Sequence, residues 1–204
     1  MAILLPRAPA LAQPSGKPPV ILVLGDSLSA EYGLPRGTGW VALLEKRVEQ
    51  EKLPHRVVNA SISGETTSGG VQRIDTLIKQ HAPAVVIVEL GGNDALRGLA
   101  LDVTQNNLAR IIEASVKTNA RVLLLGMEVP PNYGAAYTQR FRSMFTALSE
   151  KYKVPLVPFF LVKFGTDLGY FQPDRIHPNE RAQPVMLDTV WPQLLPLLRN
   201  ARNT

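Results

Sequence analysis

Five times between residues 19 and 198, a short apolar run of strand length is followed by a longer segment whose apolar residues recur at helical spacing. The runs at 20–24, 56–59, 84–90, 122–125 and 154–157 read as strands, and their near-continuous apolar character is that of strands covered on both faces. Between them, Trp40, Val41, Leu43, Leu44 and Val48 mark one helix face, and Val71, Ile74, Leu77 and Ile78 a second. Leu108, Ile111, Ile112 and Val116 mark a third, and Phe141, Met144, Phe145 and Leu148 a fourth. A last helix is expected within 178–198, shortened or kinked by Pro184, Pro192 and Pro196. Regular strand and helix alternation predicts a parallel sheet with helices on both faces. With 204 residues, 45% of them hydrophobic, and neither a Ser/Gly-rich linker nor an internal repeat, one domain over 18–204 is expected.

Charge and composition narrow the function classes. The formal charge of +5 comes from basic residues scattered along the chain, without the clustered stripe and stacking aromatics of a nucleic-acid surface. No apolar run is long enough for a membrane-spanning helix. The absence of cysteine removes disulfides, thiolate metal sites and a cysteine nucleophile together. Residues 1–17 form an N-terminal extension in which Ala10-Leu11-Ala12 before Gln13 has the small-x-small form of a signal-peptidase site. Arg7 and two prolines interrupt its apolar part, so the segment reads as the remnant of an export signal, pointing to the periplasm or secretion, with a cytoplasmic location as the alternative.

Ligands of open parallel sheets bind at the carboxyl ends of the strands. The loops placed there are Gly/Ser-rich: Asp26 and Ser27, then 61–64, then 91–94. None carries a nucleotide motif. Gly64 and Gly69 have the separation of a phosphate loop, but Gly70 and Val71 stand where its lysine and hydroxyl belong, and no G-x-G-x-x-G occurs. Gly25-Asp26-Ser27-Leu28-Ser29 also fails the G-x-S-x-G elbow of ordinary α/β-hydrolases.

What remains is a serine where a central strand ends, and a serine nucleophile requires a histidine base with an orienting partner. Of three histidines, His55 and His81 belong to the amino-terminal side of the sheet and read as solvated loop residues. His177 has Asp174 three residues before it and Pro178 directly after it, which places it at the entrance to the last helix. An i, i+3 carboxylate there can hold Nδ1 and leave Nε2 facing Ser27. The competing reading is that Asp174 only caps a turn. Donors for a developing oxyanion also fall at strand ends: the Ser27 N–H, Gly64 and the Asn93 amide. Gly64 is equally explained as a turn glycine and Asn93 as an Asx-turn residue. Asp26 is expected to anchor the loop rather than to serve as the acid.

"GDSLS" at 25–29, Gly64 in "NASISGET", "GGND" at 91–94 and "DRIHP" at 174–178 resemble the four sequence blocks of the SGNH (GDSL) hydrolases. The resemblance runs over nearly the whole chain. "VNASISGETTSGG" and "VPPNYG" are similar to the bacterial branch of thioesterase I, protease I, lysophospholipase L1 and arylesterases. It implies a flavodoxin-like three-layer α/β/α sandwich with a five-stranded parallel sheet and neither metal nor cofactor. It further implies Ser27 as nucleophile, His177 as base, Asp174 as its partner, and Ser27, Gly64 and Asn93 as the oxyanion hole. Arg175 departs from the pattern, since many members have glycine there; it sets a cation beside the acid, within reach of substrate or at the entrance.

The expected activity is hydrolysis of small-molecule carboxylic esters or thioesters through an acyl-Ser27 intermediate. A carbohydrate or cell-wall acetylesterase would use the same blocks. A non-catalytic flavodoxin-like module holding an anion would leave Asp174 and His177 unexplained. Tyr133 and the run 159–162 are candidates to line an acyl channel, with a core role for 159–162 as the alternative.

Overall fold

The computed structural model describes residues 17–199. The signal-peptidase pattern at 10–13 lies outside the described residues. Strands β1 (Val20–Gly25), β2 (Arg56–Asn59), β3 (Val85–Glu89), β4 (Arg121–Leu125) and β5 (Leu156–Val157) form one parallel sheet in the order β2-β1-β3-β4-β5. Every residue of β1 and β3 is buried, as central strands covered on both faces must be, whereas the edge strand β2 has exposed ends. β5 pairs over only its last two predicted residues. The register sets Gly25 beside Glu89, so the β1 and β3 ends open side by side at the point where the strand order reverses.

Among the described residues, six α-helices complete the layers: α1 (Trp40–Gln50), α2 (Thr67–His81), α3 (Gly92–Leu96), α4 (Leu101–Val116), α5 (Ala135–Tyr152) and α6 (Gln183–Arg199). α1 packs on α6, while α2, α4 and α5 pack as a second group. The apolar stripes read from the sequence pack on the core, with Leu43, Val71 and Leu77 half-buried, except that Val116, the last residue of α4, is exposed. α3 begins in the glycine-rich segment that was expected to be a loop. None of the helices among the described residues is long and apolar enough to cross a membrane.

Three expectations need correction. α6 runs over 17 residues through Pro192 and Pro196, so the shortening expected of its prolines does not occur. Pro184 falls in its first turn, and Pro192 and Pro196 lie on the exposed face opposite Met186, Val190, Leu194 and Leu198. The Asp188 carbonyl that Pro192 leaves without a helical donor accepts from Lys163 Nζ at 3.3 Å. Second, His55 is not solvated: it is 8% exposed, and neither ring nitrogen has a partner among the described residues. It lines a cavity of about 400 Å³ with Pro19, Leu53, Pro54 and Leu198, at the sheet edge remote from Ser27. Burial, with Arg121 adding to it, pushes the His55 imidazole down, so the neutral ring is favoured there. Third, Pro178 does not open the last helix; it forms an antiparallel bridge with Phe171, and the next helical residue is Glu180.

Candidate active site

Pairing in β1 stops at Gly25, and the chain turns at once: the N–H groups of Ser29 and Ala30 both donate to the Asp26 carbonyl, at 3.2 and 2.9 Å. Ser27 lies in this turn, half-buried, two residues past the strand. Gly25, at the end of β1, leaves space that a side chain would take, because a Cβ there would stand 2.7 Å from Glu89 Oε2 and 2.8 Å from Ser29 Oγ.

Some 150 residues later the chain returns to the same point. Ser27 Oγ lies 3.0 Å from His177 Nε2, and His177 Nδ1 lies 2.7 Å from Asp174 Oδ2. His177 is presented by the bridge between Phe171 and Pro178, where Gln172 N–H donates to the His177 carbonyl and Asn179 N–H to that of Tyr170, each at 2.8 Å. Both readings of Asp174 hold together. Its Oδ1 caps the turn by accepting from the N–H groups of Ile176 and His177, at 2.9 and 3.0 Å, while Oδ2 holds the imidazole. Partial desolvation pushes this carboxyl up, but those two N–H groups and the His177 ring outweigh it, and Asp174 is held down at about 2. It is therefore ionised through the neutral range, and Nδ1 carries the proton it donates.

The donor side is assembled from three loops. The N–H groups of Ser27 and Gly64 have no hydrogen-bond acceptor among the described residues. The loop carrying Gly64 is hooked to β1 by the Ile62 N–H on the Gly25 carbonyl at 3.1 Å, and Gly64 itself sits at φ +78°, the conformation that favours glycine. Asn93, in the first turn of α3, gives one amide hydrogen to Asp26 Oδ2 at 2.9 Å and keeps the other free. The neighbouring Asp94 is structural: buried, it accepts from Thr67 N–H at 2.9 Å and so caps α2.

Asp26 anchors the loop as expected, accepting also from Leu28 N–H at 3.0 Å. Burial pushes its carboxyl up from 3.8 to about 6, against the pull of Leu28 N–H, His177 and Asn93 and with help from Asp94. The folded chain thus binds more protons than the unfolded one between these values, so this group favours folding most at low pH and that contribution is lost as pH rises through about 6. Asp26→Asn removes the titration. Relative to wild type, the variant is expected to be about 2–3 kcal/mol better off at about pH 7 than at about pH 4, read from urea unfolding at both. An equal difference at the two pH values would show that Asp26 titrates as an ordinary carboxyl.

Arg175 lies at φ +61° beside Asp174, exposed, with no ion pair among the described residues. A left-handed residue with a Cβ costs about 1 kcal/mol, which is the physical reason that glycine suits this position. Tyr133 sits in a 3-10 turn (Pro131–Tyr133), half-buried, packed on Tyr137 with ring centroids 5.9 Å apart. In the 159–162 run, Phe160 and Leu161 are core, with Phe160 edge-on to Trp40, whereas Val162 is 60% exposed.

Sequence reasoning missed two neighbours of the site. Tyr32 packs on the His177 ring, centroids 4.3 Å apart, and Gln172 Nε2 donates to the Tyr32 carbonyl at 2.8 Å. Nothing periodic marks Tyr32. Glu89 lies completely buried beneath the Ser27 turn, and its signal was visible as the single acid in an otherwise apolar strand.

A family model described as GDSL-like lipase/acylhydrolase matches residues 23–183. The chain is 49% identical to esterase TesA of Pseudomonas aeruginosa over 178 residues, covering 87% of this chain and 89% of that protein. It is 41% identical over 180 residues to thioesterase 1/protease 1/lysophospholipase L1 of Escherichia coli K12, covering 88% of this chain and 85% of that protein. Among solved structures, the psychrotrophic esterase EstA from Pseudoalteromonas sp., inhibited by monoethylphosphonate, superposes with a TM-score of 0.84 at 40% identity, over 89% of this chain and 99% of that one.

Proposed function

The chain belongs to the GDSL-like lipase/acylhydrolase family, the SGNH hydrolases, and is an ester hydrolase; from that premise we propose that it cleaves carboxylic esters and thioesters through an acyl-Ser27 intermediate. Aryl esters, acyl-CoA and lysophospholipids are the substrate classes. The observation that carries the reading is the continuous relay from Ser27 Oγ through His177 to Asp174, at 3.0 and 2.7 Å. Kinship with esterases leaves no place for a non-catalytic anion-binding module.

In the forward step, Ser27 Oγ attacks the acyl carbon as His177 Nε2 takes its proton. The carbonyl oxygen becomes an oxyanion facing the N–H groups of Ser27 and Gly64 and the free Asn93 amide hydrogen. Nε2 returns the proton to the departing alcohol or thiol, leaving the acyl-serine. Water then attacks as Nε2 accepts its proton, and that proton goes back to Ser27 as the acid departs. Asp174 holds Nδ1–H throughout and stabilises the transient imidazolium.

Hydrolysis of p-nitrophenyl acetate and of longer p-nitrophenyl esters tests the reading, together with intact mass after an organophosphonate probe. One adduct on Ser27 with ester turnover supports it; a folded wild type with neither is incompatible with it. Asn93→Ala is expected to lower kcat by roughly 100- to 1,000-fold with KM little changed, since its donor acts on charge that develops only in the transition state. Full kcat in that variant would remove Asn93 from the oxyanion hole.

A further inference from the structure

We propose that Glu89 is a positioning residue that works as a permanently neutral carboxylic acid, fixing the nucleophile turn through Asp26 and Ser29 and, through Asp26, the aim of Asn93. The inference rests on the reading of Ser27 and Asn93 given above. Glu89 ends β3 at 0% exposure, directly beside Gly25 in the sheet register. Its Oε2 accepts from the Asp26 N–H at 3.2 Å and from Ser29 Oγ at 2.7 Å. Ser29 Oγ in turn accepts from Trp40 Nε1 at 3.1 Å, which ties the turn to the buried start of α1. Two residues of the "GDSLS" block that the reaction does not use thereby acquire a purpose. Gly25 leaves room for the Glu89 carboxyl, and Ser29 links it to Trp40.

The protonation state follows from what surrounds the group. Glu89 Oε1 is buried without a hydrogen-bond partner, and none of the ion pairs among the described residues involves Glu89. The groups around it are Asp26 and Ser29 from the turn after β1 and Trp40 from α1; beyond Asp26 stand Asn93 and Asp94 of α3, and His177. The charged neighbour in contact with it is thus another carboxylate. An ionised Glu89 would leave Oε1 charged, desolvated and without a donor, whereas a neutral acid keeps Oε2 as the acceptor and buries no net charge beside Asp26. Burial first, and Asp26 second, push Glu89 well above the usual carboxyl range. From the turn so fixed, Asp26 Oδ2 takes one Asn93 amide hydrogen and leaves the other without an acceptor among the described residues.

The test compares Glu89→Gln and Glu89→Leu with wild type. A neutral amide reproduces the neutral acid, so E89Q is expected to keep kcat within about threefold, while E89L, with no acceptor for Asp26 or Ser29, loses about 100-fold in kcat at little change in KM. If E89L fails to fold, the decision rests on E89Q and on infrared spectroscopy in D2O at about pH 8, where ordinary carboxyls are ionised. Wild type is expected to show a protonated-carboxyl stretch that E89Q lacks. Absence of that band, E89Q as impaired as E89L, severe impairment of E89Q when E89L does not fold, or full kcat in E89L each overturns the proposal. A wild type that turns over no ester overturns the esterase mechanism instead, and the band still reports separately on Glu89.

Discussion

Replacing Ser27 by alanine is expected to lower kcat on p-nitrophenyl acetate by about a million-fold, the scale of losing the nucleophile from a preorganised triad. The substitution removes the oxygen that lies 3.0 Å from His177 Nε2 and leaves the backbone donors at Ser27 and Gly64 unchanged. The residual rate then belongs to oxyanion stabilisation and binding alone. Ser27 is only half-buried in its turn, so loss of one hydroxyl should hardly move the urea midpoint. Mass spectrometry gives an independent reading: the organophosphonate adduct of the wild type should vanish in Ser27→Ala. An adduct that persists, or turnover near the wild-type rate, would place the nucleophile elsewhere.

Asp174→Asn is expected to cost about 10,000-fold in kcat, although it changes neither size nor packing. The Asn oxygen would go to the Ile176 and His177 N–H groups that Oδ1 now accepts, leaving the amide NH2 towards Nδ1. That arrangement draws the imidazole proton to Nε2, where it faces Ser27 and cannot receive the serine proton. The mutant should keep its KM, because the error lies in the tautomer. A variant with near-normal kcat would reduce Asp174 to its turn-capping role. Because the carboxyl is held down at about 2, its contribution to folding is present above the ordinary 3.8 and is lost only as pH falls through about 2. Protonation of Asp174 therefore cannot shape the activity profile near neutrality.

How much of this was legible beforehand depended on distance along the chain. The helical stripe of Trp40, Leu44 and Val48 and the near-continuous apolar runs of β1 and β3 are written in periodicities of a few residues, and they are where the structure buries them. Asp174 and His177 were readable for the same reason, since three residues is the reach of a turn. The role of Pro178 was not readable, because a proline after a residue marks a helix start and a bridge partner equally well; only Phe171 across from Pro178 decides between them.

By itself, then, the sequence determined the alternation of strand and helix, the serine turn after β1 and the short-range pairing of acid and imidazole, all of which depend on side-chain period and local backbone geometry. The tertiary structure supplied the contact itself, setting Ser27 Oγ 3.0 Å from an imidazole 150 positions away that the strand ends and the sequence blocks had only paired with it, and it alone decided that Glu89 lies under a turn 60 to 63 positions before it. It also decided that α6 turns its internal prolines to solvent and that His55 is enclosed. These are consequences of strand order and register, which fix which distant residues share a layer, and no local pattern along the chain carries that information.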